Sequence, residues 1–222
     1  MGQTRCVDGS AAPGPWPPGF FDRQDATDDA DFYTAPRFVT HIDNGAIQAV
    51  TELYDELGVP QGRALDLMSS WVSHLSRRPD GGLVVVGMNA AELGANPLAD
   101  ERLLQDLNRD PRLPFDEASF DAVTCCVSID YLVAPIEVLR EASRVLRPGG
   151  LIVITFSNRC FPTKAIRGWL ATDDAGHVSV VRAYLEQAGG FAPATAQRRT
   201  PSSRRGDPLY GVWATRLPHD ER

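Results

Sequence analysis

Two polar clusters follow apolar, strand-like runs directly. Ser128-Ile129-Asp130-Tyr131 follows Phe120 to Val127, and Ser157-Asn158-Arg159 follows Leu151 to Phe156, with Lys164 a little further on. Asp130 and Tyr131 can move a proton to or from a weakly acidic acceptor, as can His41 and His177 elsewhere in the chain. Asn158 can both donate and accept, while Arg159 and Lys164 present positive charge to an anionic group. The four cysteines (Cys6, Cys125, Cys126 and Cys160) have neither C-x-x-C nor metal spacing, so no metal site is expected.

The elements that must position these groups are readable. The run Phe120 to Val127 is a buried strand by its β-branched and aromatic content. Ile136, Leu139, Ser143 and Leu146 then recur on one helical face, with Glu137/Arg140 and Glu141/Arg144 as charge pairs toward solvent. Pro148 ends that helix, Gly149-Gly150 make a turn, and Leu151 to Phe156 forms a second strand. Strand, helix, turn and strand make a βαβ unit with parallel strands and a right-handed crossover. Ligands of such sheets lie beyond the carboxyl ends of the strands, where both polar clusters fall.

The stretch L-P-F-D-E-A-S-F-D-A-V, followed by E-V-L-R-E-A-S-R-V-L-R-P-G-G-L-I-V-I, resembles the second half of class I S-adenosylmethionine-dependent methyltransferases of the small-molecule type. The resemblance implies a doubly wound, Rossmann-like α/β fold: one domain over residues 20–217, with a mostly parallel sheet and a C-terminal antiparallel hairpin. Phe191 to Gln197 and Leu209 to Thr215 supply that hairpin, after an amphipathic helix marked by Val178, Val181, Leu185 and Ala188. S-adenosylmethionine is the implied cofactor. Residues 20–62 become an N-terminal lid and helical segment, with Tyr33 and Arg37 facing the substrate; alternatively Phe32, Tyr33 and Phe38 only pack this segment onto the sheet edge. Ile42, Ala46, Val50, Leu53 and Leu57 mark its helix, capped by Asp43 or Asn44 and stopped by Gly58 and Pro60.

In the family the first strand ends D-L-G-x-G-x-G; here Arg63 to Met68 leads into Asp66-Leu67-Met68-Ser69-Ser70-Trp71-Val72, without the glycines. The cofactor then sits differently, the loop takes another path, or binding is lost. Ser69 and Ser70 can hydrogen-bond the cofactor's carboxylate, and Trp71 can wall the transfer chamber; in the competing reading Ser70 caps a helix through Trp71, Val72 and Leu75, with the indole in the core. After a second strand, Leu83 to Val86, Asn89 stands where the family has a ribose-binding acid, and it can equally cap the next helix; Met88 flanks the adenine. A third strand over Leu103 to Leu107 puts Asp106 where the family accepts the adenine amino group, with the alternative of a plain surface acid; Leu107 and Ser128 complete the cofactor set.

Composition narrows the class. A chain of 222 residues with 43% hydrophobic and 23% charged residues suits one soluble α/β domain. The net charge of -7 argues against a nucleic-acid partner, and no run is apolar enough for a membrane span. Cys125 and Cys126 read as reduced thiols on opposite faces of a strand, which suggests the cytoplasm. Residues 1–19, rich in Pro and Gly, read as a disordered or draped arm, and the four arginines from Arg198 to Arg205 as a solvated loop. The expected activity is methyl transfer to a small molecule, anionic if Arg159 and Lys164 contact it. A non-catalytic S-adenosylmethionine-binding protein of the same fold is the alternative. A nucleotide-dependent oxidoreductase is disfavoured, since no G-x-G-x-x-G follows a strand.

Overall fold

Short, mostly apolar runs build the centre of this protein, whose computed structural model describes residues 16–201 and 206–218. They form β1 (Ala64–Leu67), β2 (Leu83–Gly87), β4 (Phe120–Cys126) and β5 (Leu146–Phe156). β1 and β2 are buried at every position, as strands covered on both faces must be. With β3 (Glu101–Leu104), β6 (Thr195–Arg198) and β7 (Tyr210–Thr215) they make one sheet in the order β3-β2-β1-β4-β5-β7-β6. The pairings from β3 to β5 are parallel, and β7 runs antiparallel between β5 and β6. This is the doubly wound sheet with a closing hairpin that the sequence predicts.

Helices cover both faces. α1 (Asp29–Phe32) lies in the N-terminal segment, and α2 (Asn44–Glu56) follows, with Asp43 accepting from Gly45 N and Ala46 N at its start. α2 buries Ala46, Val50, Leu53 and Tyr54 against one face of the sheet. α3 (Ala90–Ala95) follows β2; α4 (Pro135–Val145) and α6 (Asp174–Ala188) cover the other face, with the short α5 (Arg167–Leu170) between them. No helix among the described residues is long and apolar enough to cross a membrane.

Four sequence expectations need correction. The helix α4 ends at Val145 and β5 already begins at Leu146, which pairs with Phe120, so Leu146 is not on the helix and the strand does not start at Leu151. The third strand spans Glu101–Leu104, not 103–107: it is an exposed edge strand whose ladder uses charged Glu101 and Arg102, which an apolar pattern misses. No helix runs from Ser70 to Leu75; residues 68–82 connect β1 to β2 as irregular chain. The first hairpin strand begins at Thr195, because Phe191 pairs only as an isolated bridge with Arg216. Of the expected arm, residues 16–19 are described: Trp16 packs on Tyr184 and Phe20, and its indole N–H donates to Gln187 at 3.0 Å. The rest of the expected arm, Cys6 included, and Arg204 and Arg205 lie outside the described residues; Arg199 is ion-paired with Glu56 at 2.6 Å.

Candidate active site

The parallel strands end on one edge, and the chain leaving that edge encloses a cavity of about 610 Å³. A volume of this order suits a small-molecule ligand. The loop after β1 supplies Met68 to Val72 and His74, and the segment after β2 supplies Met88, Asn89 and Glu92. Asp106, Leu107 and Asn108 come from beyond β3, and Ser128 and Tyr131 from beyond β4. Asn158 to Phe161 follow β5, and Tyr33, Arg37 and Val39 to His41 arrive from the N-terminal segment.

The loop after β1 turns without glycine. Met68 takes φ +53°, the left-handed conformation that side chains adopt at a cost of about 1–2 kcal/mol. Two further cavity residues share that strain, His74 at φ +52° and the β-branched Val127 at φ +44°. The room that glycines would give the loop is provided from the adjacent strand: a side-chain carbon at Gly87 would stand 2.3 Å from the Ser69 carbonyl. Ser69 N then donates to Val86 O at 2.7 Å, and Ser69 Oγ to Asp66 at 2.6 Å. Asp66 also accepts from Thr124 Oγ1 at 2.7 Å; burial raises its pKa against these bonds. Asn96 Nδ2 fixes the middle of the loop through the Ser70 carbonyl and Ser73 Oγ. Trp71 lies at the cavity, not in the core, with its indole N–H donating to Val39 O at 3.1 Å and its ring edge-on to Phe38.

The N-terminal segment is fastened across the cavity by buried charge. Asp29 is 4% exposed and receives two bonds from Arg23 Nη1, at 2.9 and 2.8 Å, and one from Asn108 Nδ2 at 2.9 Å. Lys164, fully buried, stands 3.1 Å from Asp29 and 3.2 Å from Asp25, and donates to Thr27 O at 2.9 Å. Burial pushes Asp29 upward, but the bonds from Arg23, Asn108 and Lys164 outweigh it and hold the carboxyl below its usual range. Arg23, Lys164 and Asp29 thus form a buried charge cluster, with the more exposed Asp25 at its edge. Nearer the cavity, Arg37 lies over the Phe32 ring at 4.5 Å and its Nη2 donates to Phe32 O.

Asn89 is fully engaged. Its Oδ1 caps α3 by accepting from Ala91 N and Glu92 N at 3.0 and 3.1 Å. Its Nδ2 donates to the carbonyls of Tyr33 and Thr34 at 2.9 and 3.1 Å, tying the N-terminal segment down. Both acceptor positions and both donors of the amide are therefore occupied by protein. Asp106 accepts from Asn108 N at 2.9 Å and lines the cavity, as do Met88 and Leu107.

The proposed proton-transfer groups separate. His41 lines the cavity, edge-on to Phe161 at 5.2 Å; burial lowers its pKa, opposed by the nearby Glu92 carboxylate. Tyr131 also lines it, but its hydroxyl accepts from Phe161 N at 2.8 Å and burial drives its pKa far upward. Asp130 points away from the cavity, 3% exposed, with Oδ2 unpartnered and its pKa pushed up by burial to about 8. His177 also lies outside, stacked on Trp169 at 3.9 Å with Nε2 against the Trp169 carbonyl. Lys164 is in the buried charge cluster, so it is not available to a substrate as expected. Asn158 and Arg159 do face the cavity, Arg159 with one loose ion pair to Asp207 at 3.6 Å. Among the cavity residues the sequence did not single out are Glu92 and Asn108. The Asn89-to-Glu92 spacing of a helix start was the one signal that pointed toward Glu92.

Known proteins share this fold. Residues 56–154 match the family described as a methyltransferase domain. A ubiquinone/menaquinone biosynthesis C-methyltransferase of Hahella chejuensis is 30% identical over 121 residues, covering 49% of each chain. The first curated relatives are matched over only 25% to 49% of their own length. Among solved structures, an Archaeoglobus fulgidus SAM-dependent methyltransferase superposes with a TM-score of 0.56 at 12% identity, covering 77% of this chain and 94% of that one. The geranyl diphosphate C-methyltransferase of Streptomyces coelicolor, solved with S-adenosyl-L-homocysteine, gives 0.52 at 15% identity, covering 78% and 81%. These likenesses establish the class I methyltransferase fold.

Proposed function

We propose that this chain, which carries a methyltransferase domain over residues 56–154 inside the class I fold, transfers a methyl group from S-adenosylmethionine to a small anionic acceptor. The observation that carries the reading is the cavity itself. It sits at the carboxyl edge of the parallel strands and gathers Asp66, Ser69, Met88 and Asp106 around one space.

The donor set suits the cofactor. Ser69 and Ser70 offer hydroxyls for its amino-acid end, Met88 and Leu107 apolar walls for adenine, and Asp106 an acceptor for the adenine amino group. The close approach at Gly87 supports the same reading, because it keeps the first loop near the second strand despite the missing glycines. When bound, S-adenosylmethionine supplies an electrophilic methyl group on a sulfonium centre. The chain's own task is then to align the acceptor and exclude water, which the fastened N-terminal segment and the ring of Phe161 serve. Asn158 orients the acceptor and Arg159 attracts its anionic group. For a hydroxyl acceptor, His41 takes the proton: burial keeps its imidazole neutral near pH 7, the state a base requires. The free thiols Cys125, Cys126 and Cys160 support a reducing, cytoplasmic setting.

Calorimetric titration with S-adenosylmethionine and S-adenosylhomocysteine tests the cofactor, and release of S-adenosylhomocysteine in the presence of small organic acids tests the transfer. Binding of neither nucleoside would sink the reading; binding without transfer to any acid would remove the anionic acceptor.

A further inference from the structure

We infer that Glu92, and not Asn89, is the residue that accepts the cofactor's ribose hydroxyls; the inference rests on the cofactor reading above. A ribose diol presents two neighbouring O–H donors, and its best receptor is a carboxylate with both oxygens available. Asn89, the residue that the sequence resemblance assigns to the ribose, has no free hydrogen-bonding position: Oδ1 is spent on Ala91 N and Glu92 N, and Nδ2 on the Tyr33 and Thr34 carbonyls.

Glu92 lies in the first turn of α3 and lines the same cavity, 8% exposed. Its Oε1 accepts from Arg37 N at 2.6 Å and its Oε2 from Ser70 Oγ at 2.5 Å. Each oxygen thus holds a single donor and keeps a second lone pair. The two existing bonds come from the N-terminal segment and from the loop after β1, so they fix the carboxylate between the two walls of the cavity. The other lining acids are less suited. Asp29 is saturated by Arg23, Lys164 and Asn108, and Asp66 is buried under Ser69 and Thr124. Asp106 belongs to the segment beyond β3, on the far side of β2 from the loop after β1. With Glu92 as the acceptor, Asn89 is left to fasten the N-terminal segment.

The test is calorimetry with S-adenosylhomocysteine and its 2′-deoxy and 3′-deoxy forms. Wild type should bind each deoxy form about tenfold more weakly than the parent, the loss of one hydrogen bond to a charged group. Glu92→Gln should lose about tenfold on the parent and little more on the deoxy forms, so the discrimination narrows. Asn89→Ala should keep the wild-type ratio even if it weakens all three ligands. Thermal melts check that each variant folds, and Glu92→Asp, which keeps the charge but draws it back by one methylene, should narrow the ratio as well if the glutamine variant does not fold. An undiminished ratio in the Glu92 variants, or a ratio lost in Asn89→Ala, overturns the assignment. Failure of wild type to bind S-adenosylhomocysteine overturns the cofactor reading and this assignment with it.

Discussion

Replacing Lys164 by methionine should destabilise the protein by about 2–4 kcal/mol. Breaking a buried ion pair by removing one partner costs about 3–5 kcal/mol, because the remaining charge stays buried without compensation. Here the lysine is fully buried and stands 3.1 Å from Asp29, which is itself 4% exposed. Arg23 still holds both Asp29 oxygens, at 2.9 and 2.8 Å, which moves the cost toward the lower end of that range. Asp25 has access to water and adds little. Methionine fills most of the lysine volume, so the cavity contribution is small. Urea melts read the loss directly, and in a thermal scan it is a shift of roughly 2–4 °C per kcal/mol for a chain of this size. Acid melts give an independent check. Asp29 has a folded pKa below its unfolded value, so its stabilisation is present above the unfolded value and disappears as pH falls through the folded one. With one of its holding bonds gone, acid unfolding of Lys164→Met should begin at higher pH than in wild type. A loss under about 1 kcal/mol with an unchanged acid profile would refute the claim that buried charge fastens the N-terminal segment.

Three further outcomes follow from the cavity and its surroundings. Trp71→Phe should change stability by less than about 1 kcal/mol, since only the bond to Val39 O is lost, yet remove most of the tryptophan fluorescence change caused by S-adenosylhomocysteine; an equal response in both proteins would place the indole away from the ligand. With a hydroxyl acceptor, wild-type kcat/KM should fall on acidification only below the usual histidine value of 6.5, because burial lowers the His41 pKa. His41→Gln should lose about 10²-fold in rate together with that acid limb; an acid limb that persists in the variant would exclude His41 as the base. Asp130 holds its proton up to about pH 8 in the folded state but releases it near 3.8 when unfolded. Stability should therefore decline as pH rises between those values and level off above them, by several kcal/mol at most, while Asp130→Asn should remove the slope; urea melts at about pH 5 and about pH 8 decide it.

The sheet was legible because its central strands are short, mostly apolar runs with few exposed positions, a pattern that needs no tertiary information. The edge strand was misplaced because Glu101 and Arg102 are exposed there, and nothing in an exposed strand's composition marks its start. The cap at Asn89 could be read from local spacing, whereas its bonds to Tyr33 and Thr34 join residues far apart in sequence. Lys164 illustrates the same limit. A lysine near the end of a strand on an acidic protein suggests a substrate anion, and only the fold shows that Asp25 and Asp29 reach it first. Met68 could not be read at all: methionine does not announce a left-handed turn as glycine or asparagine does, and the compensating space lies on another strand, at Gly87.

The chain between β1 and β2 carries a consequence for how such a site diverges. A helix in that connection would move as a rigid body, so any change in its seat would shift every wall residue together. Here four wall positions are each held by a separate side-chain bond: Ser69 by Asp66, Ser70 by Glu92, Trp71 by Val39, and the His74 carbonyl by Thr51. A substitution at one of these anchors re-aims one wall of the cavity and leaves its neighbours in place. The shape of the cavity can therefore change position by position through single substitutions, while the sheet beneath it keeps its own packing.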